Sequence, residues 1–138
     1  MATSCRQTTD WSFLEQPKRG YRSATLCHAP SGLRTHELSM QLLKTQSGLT
    51  AYISRSVGKF RANSDGNVDF FIKAGEHTVQ TTAHCMSGGQ KCLLTQEGAQ
   101  AIISLLLQNK EVVVYTKRMC TTLSPKKFST YYQKIEKI

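Results

Sequence analysis

Cys85 and Cys92 have six residues between them, including a Gly88-Gly89 pair, and His84 directly precedes the first cysteine. A thiol beside an imidazole suggests a nucleophile with its base, drawn from His28, His36, His77 or His84. Against this, adjacent side chains on a strand point to opposite faces, and neither local signature of the familiar cysteine proteases is present. Cys27-His28 and His84-Cys85 with Cys92 offer soft metal ligands, yet the paired short spacings of structural zinc sites are missing. The gap is also too wide for the C-x-x-C of a thioredoxin-type redox pair. The spacing favours a disulfide closing a short loop, because Gly88 and Gly89 free the backbone to turn the two side chains toward each other. No catalytic residue, metal or cofactor is expected.

Other chemistries find less support. The nearest isolated aspartate pair is Asp65 and Asp69, and Asp65 is accounted for by its Asn63-to-Asn67 turn. Gly88-Gly89 lacks the Gly-Lys-Ser/Thr ending of a phosphate-binding loop. Tyr52, Phe60, Phe70, Phe71, Tyr131 and Tyr132 interleave with Lys and Arg, as in platforms for single-stranded nucleic acid. The same interleaving describes a half-buried sheet with basic chains snorkelling at its edges.

The elements that would position these residues are mostly strands. Arg22–His28, Glu37–Thr45, Leu49–Ser56, Val68–Ala74 and Glu76–His84 read as strands between turn signals. Glu37–Thr45 also suits a helix through Leu38, Leu42 and Leu43. After the cysteine pair, Thr95 can cap a helix whose Ala99, Ile102, Ile103 and Leu106 form one apolar stripe, and Asn109 ends it. Val112, Val113, Val114 and Tyr115 follow as a buried strand. Ser124-Pro125 reads as an N-cap with a proline at the first helical position, opening a final helix on which Phe128, Tyr131, Tyr132 and Ile135 share a face. Residues 1–20 read as an irregular arm anchored by Trp11 and Phe13. The expected architecture is all-β: a single β-sandwich domain over 1–138 of about seven strands, with one helix after the cysteine loop and one at the C-terminus.

A chain of 138 residues suits one domain. Eighteen Lys and Arg against nine Asp and Glu leave a net charge of +9, which attracts polyanions. The densest stretch holds Lys110, Lys117, Arg118, Lys126, Lys127, Lys134 and Lys137, the expected basic surface. No apolar run approaches the roughly 20 residues of a membrane-spanning helix. MATSCRQTTDW shows no basic region followed by an apolar one, so the chain reads as cytosolic or as a mature exported protein without its leader. Five cysteines favour export to the periplasm or beyond, and their odd number leaves one free, paired between molecules, or unbridged.

From Cys85 onward the layout resembles the invasion-associated locus B (IalB-like) family of exported bacterial proteins. The resemblance lies in a strand, the Cys85 and Cys92 pair, a helix over Gln96–Lys110, the valine strand Val112–Tyr115, and a Leu123-Ser124 segment before an aromatic helix at Phe128–Ile135. Weaker echoes are Trp11 near a cysteine and a second cysteine at Cys27. The resemblance implies a periplasmic or secreted β-sandwich with a role in host interaction or virulence. It also implies a Cys85–Cys92 bridge and a Cys5–Cys27 bridge, with Cys120 as the odd thiol. The expected function is non-enzymatic binding to a host or envelope component, protein or polyanion; the alternative is a cytosolic basic module for nucleic acid or an acidic protein.

Overall fold

The computed structural model describes residues 11–18, 21–28, 38–55, 58–117 and 119–138. Alternation of apolar and polar residues drives most of the chain into strands. These are β1 (Ser12–Lys18), β2 (Tyr21–His28), β3 (Leu38–Thr45), β4 (Gly48–Arg55), β5 (Asn67–Ala74), β6 (His77–Cys85), β7 (Lys91–Leu94), β8 (Val112–Thr116) and β9 (Met119–Leu123). Two helices complete the order, α1 (Gln96–Leu107) between β7 and β8 and α2 (Phe128–Glu136) after β9. The fold is all-β in class.

All nine strands belong to one antiparallel sheet in the order β1-β2-β3-β4-β7-β6-β5-β8-β9. This replaces the expected two-sheet sandwich of about seven strands. One sheet suffices because it curls, so that a single face encloses the core. Leu26 of β2, Leu38, Met40 and Leu42 of β3, Ile53 of β4, and Phe70 and Ile72 of β5 all lie on that face, each at most 1% exposed. The curl is fastened at its ends. The Trp11 indole N–H, next to β1, donates to the carbonyl of Ser124, just past β9, at 2.7 Å.

Glu37–Thr45, ambiguous in the sequence, is a strand from Leu38, because alternate residues Leu38, Met40 and Leu42 meet the core. Three strands escape the sequence reading. β1 replaces much of the expected irregular arm; as an edge strand it accommodates Pro17, which pairs in register with Arg22 without needing an outward N–H. β7 and β9 are short, and four or five residues carry too little periodicity to declare a strand.

The helices fill the concave side. Thr95 caps α1 as expected, its Oγ1 accepting from the Gly98 N–H at 3.1 Å, and Ala99, Ile102, Ile103 and Leu106 are buried. Burying the two isoleucines and the leucine contributes roughly 1.5–3 kcal/mol each. α2 starts later than expected. Its N-cap is Lys127 in the left-handed region, with no side-chain cap, while the Ser124 hydroxyl accepts from the Lys126 N–H at 3.2 Å in the turn before it. Phe128 and Ile135 are buried, and Phe128 packs on Trp11 with ring centroids 5.0 Å apart. Among the described residues no helix is long and apolar enough to cross a membrane.

α1 approaches β6 so closely that a Cβ on Gly98 would lie 2.3 Å from Thr81 Oγ1 and 3.1 Å from Thr81 Cβ. Helix propensity alone makes Gly98→Ala a gain of up to about 1 kcal/mol. The contact decides otherwise, since Thr81 is β-branched and its Cβ cannot swing away. Gly98→Ala is expected to destabilise by about 1–3 kcal/mol, read as a fall of several degrees in Tm by calorimetry; an unchanged or higher Tm contradicts this packing.

Candidate functional site: a basic cleft beside the cysteine turn

β4 ends in Arg55, and the chain then runs through Gly58, Lys59, Phe60 and Arg61. Arg55 closes this segment on itself, one guanidinium N–H donating to the Lys59 carbonyl. Its guanidinium carbon lies 5.9 Å from the Phe60 ring centroid, within reach of cation–π attraction. Phe60 is buried and meets Phe70 edge-on, centroids 5.7 Å apart, which ties the segment to the core.

Across from it, Thr116 at the end of β8 pairs with Met119 at the start of β9. Thr116 is buried, and its hydroxyl donates to the Asp69 carbonyl at 2.8 Å, fixing the hairpin against β5. Lys117 sits at φ +51°, in the left-handed region.

Between these segments lies a cleft of about 270 Å³ lined by Arg55, Lys59, Phe60, Arg61, Val68, Thr116, Lys117 and Met119. Four cations and no carboxylate line it. Among the described residues the only ion pair joins Arg22 to Glu15, elsewhere on β1 and β2. The Asp69 carboxylate follows Val68 in sequence but accepts from Thr82 Oγ1 at 3.4 Å, on the strand face opposite to Val68. The Arg55 Nε is buried without an acceptor among the described residues. Phe60, Val68 and Met119 supply an apolar wall. The volume sits just below the range of drug-sized ligand pockets, which suits an anionic headgroup with a small apolar attachment.

The cysteine turn forms the backing of this cleft. Gln90 O accepts from the Arg55 N–H at 2.9 Å, and Gly89 O accepts from the Phe60 N–H at 2.7 Å. A Cβ on Gly89 would lie 3.1 Å from Lys59 Cβ, and Gly89 has φ +75°, so close approach and backbone both call for glycine.

Cys85 and Cys92 lie directly opposite one another on β6 and β7. The flanking Met86 N–H to Lys91 O bond, at 2.8 Å, and the turn of the Cys85 N–H toward Gly66 O make theirs a non-hydrogen-bonded pair, the closer of the two antiparallel spacings. Both are nonetheless free thiols, so the expected bridge is open in this structure. Burial, and then the neighbouring Cys85, push the Cys92 thiol up to about 12. Cys27 is also a free thiol, raised by burial and partly offset by Lys91. The Cys5–Cys27 bridge is therefore not borne by Cys27, and Cys5 lies outside the described residues. Cys120 is disulfide-bonded, which corrects its expected role as the odd thiol.

Of the expected basic residues, Lys117 lines the cleft and Arg118 lies outside the described residues. Lys110, Lys126, Lys127, Lys134 and Lys137 are exposed but line none of it. Lys134 instead packs its ammonium over Phe13 and Tyr131, at 5.8 and 5.7 Å. Arg55, Lys59 and Arg61 are additional. Their signal was local: three cations and a phenylalanine within seven residues without an acid. The interleaved aromatics do not form one platform, since Phe60 and Phe70 are buried while Phe71 stacks on Tyr115 and Tyr52 lies under Lys91. The His84 ring bonds Asn67 at 3.2 Å, away from the Cys85 thiol. Among the described residues no three His, Cys, Asp or Glu side chains gather as a metal would require.

A left-handed lysine costs on the order of 1 kcal/mol, which glycine relieves. Lys117→Gly is therefore expected to be more stable than Lys117→Ala by about 1 kcal/mol in urea unfolding. Both remove the same charge, so equal midpoints contradict strain at this turn.

Comparison of the chain with family models, curated proteins and solved structures finds no match, and the resemblance to the invasion-associated locus B proteins rests on the residues quoted for it.

Proposed function

We propose that this protein is a non-catalytic binding protein that captures an anionic group, phosphate or sulfate, displayed by a larger partner. The observation that carries this reading is the cleft in which Arg55, Lys59, Arg61 and Lys117 converge with no carboxylate among its lining residues. Unpaired cations held together repel one another, and an anion bound among them replaces that repulsion with charge-assisted hydrogen bonds. The apolar wall of Phe60, Val68 and Met119 adds contact for whatever carries the charge. A partner of this kind is a polyanionic host or envelope surface, in keeping with an exported, host-facing role. That location is supported by cysteine usage and by the resemblance from Cys85 onward, while the free thiols at Cys27, Cys85 and Cys92 lend it nothing. Nucleic acid is the less favoured partner, because the aromatic side chains are spread over separate places and do not line a strand-length groove.

The test is titration of the full chain with inorganic phosphate and inorganic sulfate, followed by amide chemical shifts. Shifts are expected to centre on the cleft and to weaken at higher salt. Lys59→Ala with Arg61→Ala and Lys117→Ala, all exposed residues, should weaken binding about tenfold, or 1.4 kcal/mol, with the fold intact by circular dichroism. Wild-type affinity in that triple variant contradicts the reading. Tighter, sequence-independent binding of single-stranded oligonucleotides with a steep salt slope turns it toward nucleic acid.

A further inference from the structure

The two ends of the cleft-forming segment are anchored on one short turn, and a facing pair of thiols bounds that turn. The Arg55 N–H reaches Gln90 O and the Phe60 N–H reaches Gly89 O, while Gly89 packs against the Lys59 side chain. Gly89 and Gln90 lie between Cys85 and Cys92. Inside the turn, the Met86 N–H donates to Lys91 O and the Gly89 N–H to Met86 O at 3.0 Å. We propose that Cys85 and Cys92 form a redox switch for the basic cleft: the disulfide holds the Met86–Lys91 turn and strengthens anion binding, and the dithiol loosens it and weakens binding. This regulation rests on the reading of the cleft as an anion site.

The geometry permits the bond without rearranging the sheet. The closer antiparallel pairing brings Cα atoms to about 4.5 Å, within the range of disulfides. The oxidant is a low-molecular-weight disulfide. Half-buried Cys85 loses its proton and its sulfur attacks one sulfur of that disulfide; the external S–S bond breaks, releasing one thiolate and leaving a mixed disulfide on Cys85. Cys92, which is fully buried, then loses its proton and attacks the Cys85 sulfur, expelling the second thiolate. The two protein thiols are oxidised by two electrons, the external disulfide is reduced to two thiols, and the two protons pass to the departing sulfurs. The order follows from access, since Cys92 has no exposed surface. The high titration point of Cys92 agrees with it.

Fixing the turn lowers the conformational cost of holding Arg55, Lys59 and Phe60 in place, the usual route by which a covalent clip improves affinity. The experiment uses the full chain after glutathione disulfide or after dithiothreitol, with the Cys85–Cys92 link verified by mass spectrometry of alkylated peptides, and inorganic phosphate as the probe. The bridged form is expected to bind about fivefold more tightly than the dithiol. In Cys85→Ser with Cys92→Ser the difference should vanish, which separates this pair from Cys27 and Cys120. If that double variant does not fold, Cys85→Ser alone serves, as it also cannot bridge. Equal affinity in verified bridged and reduced forms, failure of the link to form, or a redox effect that survives in the serine variant each overturns the switch. Absence of phosphate binding in both forms overturns the cleft reading itself.

Discussion

Two backbone hydrogen bonds carry the site: the Arg55 N–H to Gln90 O at 2.9 Å and the Phe60 N–H to Gly89 O at 2.7 Å. Each contributes only about 1 kcal/mol net, but together they pin both ends of a segment that bears three of the four cations of the cleft. Without them Arg55 would stay in register with Leu38 of β3, but Lys59 and Arg61 would be freer to move away from it, as like charges do. The segment is also held by Phe60 against Phe70 in the core, by the pairing of Arg55 with Leu38 of β3, and by the Arg55 guanidinium on the Lys59 carbonyl. The curled sheet matters to the site through this connection: β4 delivers Arg55, β6 and β7 deliver the turn that holds it, and β5 delivers Phe70 and Val68 beneath it.

Two local choices cost stability where the cleft is formed. Lys117 occupies a backbone region better suited to glycine, and Arg55 buries an Nε without an acceptor among the described residues. An unmet buried donor costs roughly 1–3 kcal/mol. Neither feature assists folding, and both place a cation at the same opening. Similar departures occur away from the cleft, at left-handed Asn109 and Lys127 and at the buried Thr121 hydroxyl, while Thr95 caps α1, Asn63 Oδ1 accepts from Asp65 and Asn67 in its turn, and the core stripes of β3 and β5 keep to one face.

The sequence was informative wherever a pattern ran long enough to repeat. Val68, Phe70 and Ile72 alternate, and Ala99, Ile102, Ile103 and Leu106 recur at helical spacing, and both sets are buried as read. β7 and β9 were illegible because their pairing is set by neighbours, Tyr52 to Ser54 on one side of β7 and Val112 to Thr116 beside β9. The single curled sheet was likewise beyond reach, since alternation marks which face is buried and says nothing of which sheet covers it. For the site, Lys117 was in view, but Arg55, Lys59 and Arg61 were hidden by a search for long runs of charge. Their convergence depends on a contact between residues 55–60 and 89–90, separated by about thirty positions of chain. The Cys85–Cys92 facing was legible from spacing and glycines; its oxidation state was not, because that depends on the surrounding redox couple.

The most direct test of the account is amide hydrogen exchange at Arg55 and Phe60. If the cysteine turn holds the cleft-forming segment, both amides exchange far more slowly than an unstructured peptide and keep pace with the interior of β4. Exchange of both at the rate of an open loop would mean that nothing gathers the cations, and the cleft would lose its physical basis.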